Sequence, residues 1–124
     1  MPFVRITLTT AAAPLVQQRI AAGFTRLMAE VLGKKAELTA ILVESPAGLW
    51  TIGGEAVARA AHVEALVTAG TNSAAQKADF LAAARALLAA ELGALPTATY
   101  AVVRDMPADD WGYDGLSQAA RAGR

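Results

Sequence analysis

The sequence has no cysteine and a single histidine, His62. No disulfide framework or thiolate metal site can form, and one imidazole cannot build a histidine-rich metal cluster. Net charge is also missing, because 11 basic residues balance 11 acidic ones. No field of either sign invites nucleic acid or an anionic membrane. Long hydrophobic runs are absent although 55% of the residues are apolar. Arg, Glu, Lys or Gln interrupts every stretch before it reaches the length of a membrane span. The first ten residues contain no charged segment followed by an apolar one, so no secretory signal is expected and a cytoplasmic protein is. The phosphate-loop pattern G-x-x-x-x-G-K-[ST] does not occur; Gly53-Gly54 reads as a turn device. No cofactor and no metal is implied.

What is present is one domain's length, 124 residues, rich in alanine. That length buries a real core. In residues 3–9, Val4, Ile6 and Leu8 fall on one face and Phe3, Arg5 and Thr7 on the other, as in a strand. Pro14 suits the first turn of a helix. Val16, Ile20, Phe24, Leu27 and Val31 then form one helical face, and Gly33 is a stop signal. LTAILVES, 38–45, reads as a buried strand, and SPAG followed by LWTIGG as a turn and a short extended piece. The order then repeats. HVEALVTA from His62 is a strand, and Ser73 with Gln76 forms a capping box. Phe80, Ala84, Leu87 and Leu88 stripe a second helix, Gly93 ends it, TATYAVVR is a strand, and WGYDG a glycine-bearing hairpin.

The landmarks recur at nearly one offset. Leu32-Gly33 matches Leu92-Gly93, Trp50 matches Trp111, and Gly54 matches Gly115. The expectation is an internal duplication: a single domain over 1–124 made of two β-α-β repeats, about 2–55 and 62–115. Each repeat makes its strands parallel through a right-handed crossover. The fold class is therefore α+β, a four-stranded mixed sheet with two helices on one face and short hairpin strands. The other sheet face has no cover, and copies of the same chain would supply it. LSQAARAGR, 116–124, reads as a frayed polar tail.

Pro2 stands at the head of the first strand. A proline fits there for conformational reasons alone, since it has no N–H to leave unpaired. Removal of Met1 would also leave it a free secondary amine, and such an amine can act as a base.

Pro2, the duplicated β-α-β unit and the closing phrase VVRDMPADDWGYDG together resemble the tautomerase superfamily. The resemblance spans roughly residues 2–115. It is to the two-unit type, meaning the macrophage migration inhibitory factor group and fused 4-oxalocrotonate tautomerase-like proteins. It implies a homotrimer with a barrel-like arrangement of sheets and an interfacial site for a small-molecule carboxylate. Pro2 would be the general base of a keto–enol tautomerase acting on a 2-oxo acid or its enol. Lys34 would bind the carboxylate, Tyr100 would reach the site across the trimer interface, and Trp111 and Tyr113 would form an apolar wall. Each residue also has a plain structural reading. Lys34 complements a helix C-terminus beside an equally placed Lys35, Tyr100 is an amphipathic core residue, and Trp111 and Tyr113 pack a hairpin. Trp50 fits interface packing, Arg5 a barrel or interface ion pair, His62 a strand start, and Arg104 and Asp105 an exposed or paired strand end. In the second repeat the place of Pro2 falls to His62 or Val63, and neither supplies an amine.

The chain also departs from the superfamily's patterns. The arginines of the single-unit members fall near Ala12 and Thr39, and those of the dehalogenase and decarboxylase groups fall in VTAGTNS, where there are none. Two other readings stand beside the tautomerase. One is a hydratase, dehalogenase or decarboxylase using protonated Pro2. The other is a non-catalytic trimeric binding protein on the same scaffold.

Overall fold

The computed structural model describes residues 2–123. A four-stranded sheet is built from β1 (Phe3–Leu8), β2 (Ala40–Glu44), β5 (Ala61–Thr68) and β6 (Ala101–Met106), in the order β2-β1-β5-β6. β1 pairs parallel with β2, with Phe3 opposite Ala40. β5 pairs parallel with β6, with Val63 opposite Ala101. The two parallel pairs meet back to back through the antiparallel β1–β5 ladder, with Phe3 opposite Leu66 and Leu8 opposite Ala61. The alternation expected for the first strand holds, since Val4, Ile6 and Leu8 are buried. LTAILVES starts later than its sequence predicts: Ala36–Leu38 form a 3₁₀ turn, and the strand begins at Ala40.

The crossovers are α1 (Pro14–Glu30) and α2 (Ala74–Leu92). Ile20, Phe24 and Met28 from α1 and Phe80, Ala84 and Leu88 from α2 join the inward residues of β1 and β5 in one core. Phe24 and Phe80 meet edge to face at a centroid distance of 6.3 Å. Each such side chain contributes roughly 1.5–3 kcal/mol by leaving water. The capping box forms: Ser73 Oγ accepts from the Gln76 N–H at 3.1 Å, and Gln76 Oε1 accepts from the Ser73 N–H at 2.9 Å. The helices occupy one face. The opposite face carries Phe3, Leu42, Leu66 and Val102 among ion pairs. Arg5 meets Glu44 at 3.3 Å, and Arg104 meets Glu64 at 3.1 Å.

Two tight hairpins complete the fold, β3 (Thr51–Ile52) with β4 (Glu55–Ala56) and β7 (Gly112–Tyr113) with β8 (Leu116–Ser117). Their turns are Gly53-Gly54 and Asp114-Gly115, all at positive φ. Such pairs match the twist of the flanking strands. Of the segment expected to fray, Arg124 lies outside the described residues, and the described part is held in place. Ser117 Oγ caps a short helix, α3 (Gln118–Ala122), by accepting from the Ala120 N–H at 3.0 Å. The Gln118 N–H donates to Trp111 O and the Ala119 N–H to Ala108 O, each at 2.9 Å. A polar composition hid a segment held by its backbone.

Gly112 is fixed by close approach. A Cβ there would clash with the Leu116 carbonyl oxygen. Gly112→Ala should therefore open the hairpin and cost about 1–3 kcal/mol. Thermal unfolding should show a Tm lower by several degrees, with a changed Trp111 environment by fluorescence. A variant matching wild type in both would refute this account.

Candidate active site

Pro2 is fully buried, and its carbonyl accepts from the Ala40 N–H at 3.2 Å. That bond ties the head of β1 to the start of β2. A cavity of about 400 Å³ opens beside it, lined by Pro2, Phe3, residues 37–40 and Tyr113. The 3₁₀ turn supplies Glu37 and Leu38, and the last hairpin supplies Tyr113. A cavity of similar volume, about 420 Å³, lies at the other end of β1 around Thr9–Ala13 and Ala58–Ala60. Its carboxylate, Glu91, is already paired with Arg19 at 2.8 Å. Volume does not distinguish the two, but chemistry does.

Lys34 sits at the same end of the sheet as Pro2. Gly33, at φ +68°, turns the chain back under α1, so the Lys34 N–H donates to Met28 O at 2.9 Å. The side chain is drawn inward, leaving Lys34 only 8% exposed, whereas Lys35 is exposed. Of the two lysines, only Lys34 is drawn inward. Lys34 Nζ donates to Thr71 Oγ1 at 2.8 Å, and Thr71 Oγ1 donates to Thr68 O at 2.6 Å. Burial pushes the Lys34 ammonium below the ordinary lysine range, and Asp105 partly opposes this. Asp105 itself pairs with Lys77 at 2.7 Å.

The β1–β5 register carries Thr68 past the head of β1. Trp111 Nε1 donates to Thr68 Oγ1 at 3.1 Å, so the hairpin is anchored at this same end. Tyr100 is placed differently. It immediately precedes β6, is 70% exposed, and lines a separate cavity of about 360 Å³ with Val63, Arg85 and Thr99. Within one chain it lies at the opposite end of the sheet from Pro2. Of the five candidates, one cavity holds Pro2 and Tyr113, the same sheet end holds Lys34 and Trp111, and Tyr100 stands apart. Sequence reasoning missed Glu37 and Thr39 in the cavity wall, and Thr68 and Thr71 beneath Lys34. None of these has a spacing that marks it.

Val63, and not His62, shares the facing of Pro2, because Ala61, Val63, Ala65 and Val67 form the buried alternation of β5. The second repeat therefore has a buried valine beside its own cavity.

No family model and no curated protein sequence matches the chain. Solved structures do. A fused 4-OT described as an asymmetric trimer matches with TM-score 0.86 at 27% identity, covering 98% of this chain and 99% of that one. The chain has the two-unit tautomerase-superfamily fold. Pt0534, described as inactivated by 2-oxo-3-pentynoate, matches with TM-score 0.87 at 16% identity over 98% and 99% of the two chains. A macrophage migration inhibitory factor-like protein from Entamoeba histolytica matches with TM-score 0.80 at 22% identity over 94% and 97%. Among the described residues no group of metal ligands assembles and no helix is long and apolar enough to cross a membrane.

The lowered Lys34 pKa has a thermodynamic consequence. Between that pKa and the ordinary lysine value the unfolded chain binds the extra proton, so stability due to this group rises with pH. At neutral pH the buried ammonium is a burden on the fold. Lys34→Met should have a Tm equal to or above that of wild type at pH 7, and the difference should shrink as pH rises toward 10. Thermal scans across that range test it. A variant less stable than wild type at pH 7 would show that Lys34 is a structural prop.

Proposed function

We propose that the chain is a keto–enol tautomerase of a small 2-oxo acid, with Pro2 as general base once Met1 is removed. Met1 lies outside the described residues. The observation that carries the reading is the full burial of Pro2 at the rim of a largely apolar cavity. The amine of a chain-terminal Pro2 takes a proton from the carbon beside the ketone, and the electrons of that C–H bond form the enol double bond. The carbonyl oxygen gains a proton, and the reverse order ketonises an enol. An open-chain α-amino group titrates near ~8, and apolar walls disfavour its charged form, so it approaches the range where a base works well at neutral pH.

The substrate class rests on two supports. Lys34 offers a cation at the right sheet end, and Pt0534, of the same fold, is described as inactivated by a 2-oxo acid. Fold alone does not supply an activity. A homotrimer belongs to the proposal, since relatives of this fold are described as trimers and one sheet face has no helix over it. In such a trimer Tyr100 of a second copy would complete the site, with Trp111 and Tyr113 as its aromatic wall. A cytoplasmic location is proposed with it.

The purified protein should have an intact mass lacking Met1, and it should ketonise phenylenolpyruvate faster than buffer. Pro2→Ala should lose a factor of about 10² to 10⁴ of that rate. Equal rates in a correctly processed pair would refute Pro2 as the base.

Lys34→Ala should lower kcat/KM for a 2-oxo acid by about ten- to a hundredfold, as expected for a charged hydrogen bond of ~1.5–3 kcal/mol. Lys35→Ala, changed at an exposed side chain, should match wild type. The opposite pattern would mean that the other lysine meets the carboxylate.

A further inference from the structure

Arg121 lies in α3, C-terminal to the residues on which the sequence resemblance rests. Its guanidinium carbon stands 3.7 Å from the centre of the Tyr113 ring, over its face. Its Nη2 donates to the Tyr113 carbonyl oxygen at 2.7 Å. One side chain thus holds both the ring and the backbone of a residue that lines the Pro2 cavity. Its Nε is shielded from water and has no hydrogen-bond partner. Among the described residues the ion pairs join Arg5, Arg19, Lys77 and Arg104 to carboxylates, and Arg121 has no such partner. The guanidinium is held instead by the Tyr113 ring and the Tyr113 carbonyl.

That charge answers a difficulty in the cavity wall. Glu37 and Tyr113 are its titratable side chains. An ionised Glu37 repels an anionic ligand, and an apolar wall does not stabilise one. Lys34 lies at the same sheet end but is not among the lining residues. A cation stacked on Tyr113, itself not among the lining residues, brings an opposite charge to that wall. The planar guanidinium suits this, since it stacks on an aromatic face as an ammonium does not.

We propose that Arg121 is a positioning residue of the Pro2 cavity: it fixes Tyr113 as the wall and biases the cavity toward carboxylate-bearing ligands. This rests on reading that cavity as the active site. The C-terminal helix then acts as a brace. Gln118 Nε2 donates to Thr68 Oγ1 at 3.4 Å, and Ser117 caps the turn that presents Arg121.

The test needs no turnover. Calorimetric titration of the full chain with 3-phenylpropanoate and with its neutral counterpart 3-phenylpropan-1-ol separates charge from packing. Wild type should bind the acid more tightly than the alcohol. Arg121→Met should weaken the acid about tenfold and the alcohol less than threefold. Arg121→Lys keeps the charge without the planar stack and should recover more than half of the loss on a logarithmic scale. Equal weakening of both ligands would reduce Arg121 to a structural prop and overturn the proposal. So would unchanged affinities, or a wild type that binds neither. The Lys variant decides the matter if Arg121→Met does not fold. Phenylenolpyruvate assays on the same samples keep the two readings apart. Arg121-dependent acid binding without turnover would sink the tautomerase and leave this inference standing. Pro2-dependent turnover with an unchanged KM in Arg121→Met would sink this inference alone.

Discussion

The antiparallel ladder between β1 and β5 is the constraint on which the rest of the molecule depends. Each β-α-β unit makes only a two-stranded parallel pair, which has too little surface to bury its helix alone. Joining the units through their first strands gives one sheet and one shared core, in which Phe24 of the first helix meets Phe80 of the second. The same ladder fixes polarity. Because Phe3 faces Leu66, the end of β5 runs past the start of β1. Thr68, Thr71 and the loop leading to the last hairpin are thereby delivered to the Pro2 end. The cavity exists because parts of both units converge at one edge of the sheet.

The charges follow from this placement. The chain is neutral overall, so any preference for an anion must come from local arrangement. Most paired cations lie on the sheet surface or between elements, where an ion pair contributes little net energy. Lys34 and Arg121 differ in kind. One is desolvated and bonded to a threonine hydroxyl, and the other is stacked on an aromatic ring. Among the described residues neither cation hydrogen-bonds a carboxylate, and both lie where residues converge on Pro2. A cost in stability accepted at such positions is the pattern expected of a site, because a fold selected for stability alone would neutralise or expose those groups.

Much of the architecture was legible in the chain because backbone signals are local. The alternation of Val4, Ile6 and Leu8, the capping box at Ser73, and the glycines at 33 and 93 each state their structure within a few residues. The register between units is not local, and the offset of Trp50 and Trp111, which leads to expecting a duplication, does not state how the strands pair. The site was less legible. Pro2 and Tyr113 meet in one cavity, but the sequence could not separate Lys34 from Lys35, since only the turn at Gly33 decides which points inward. The tail misled because its polar composition resembles that of a fraying end. What holds it is a set of backbone bonds to residues 108 and 111, which composition does not encode.

Duplication does not copy the proposed chemistry, and the reason is covalent. A secondary amine requires that proline begin the chain, so only the first unit can have one. In the second unit Val63 fills the corresponding inward position and adds to the core. That cavity, relieved of the amine, presents Tyr100 at its exposed rim. Under the proposed function the two units would have different tasks at opposite ends of one sheet. In the proposed trimer the first contributes the amine and the second contributes the tyrosine to a neighbour. A site divided in this way cannot be complete in one chain, because the sheet itself separates Pro2 from Tyr100. Assembly then becomes a condition of the chemistry, and the helix-free sheet face would serve function as well as stability.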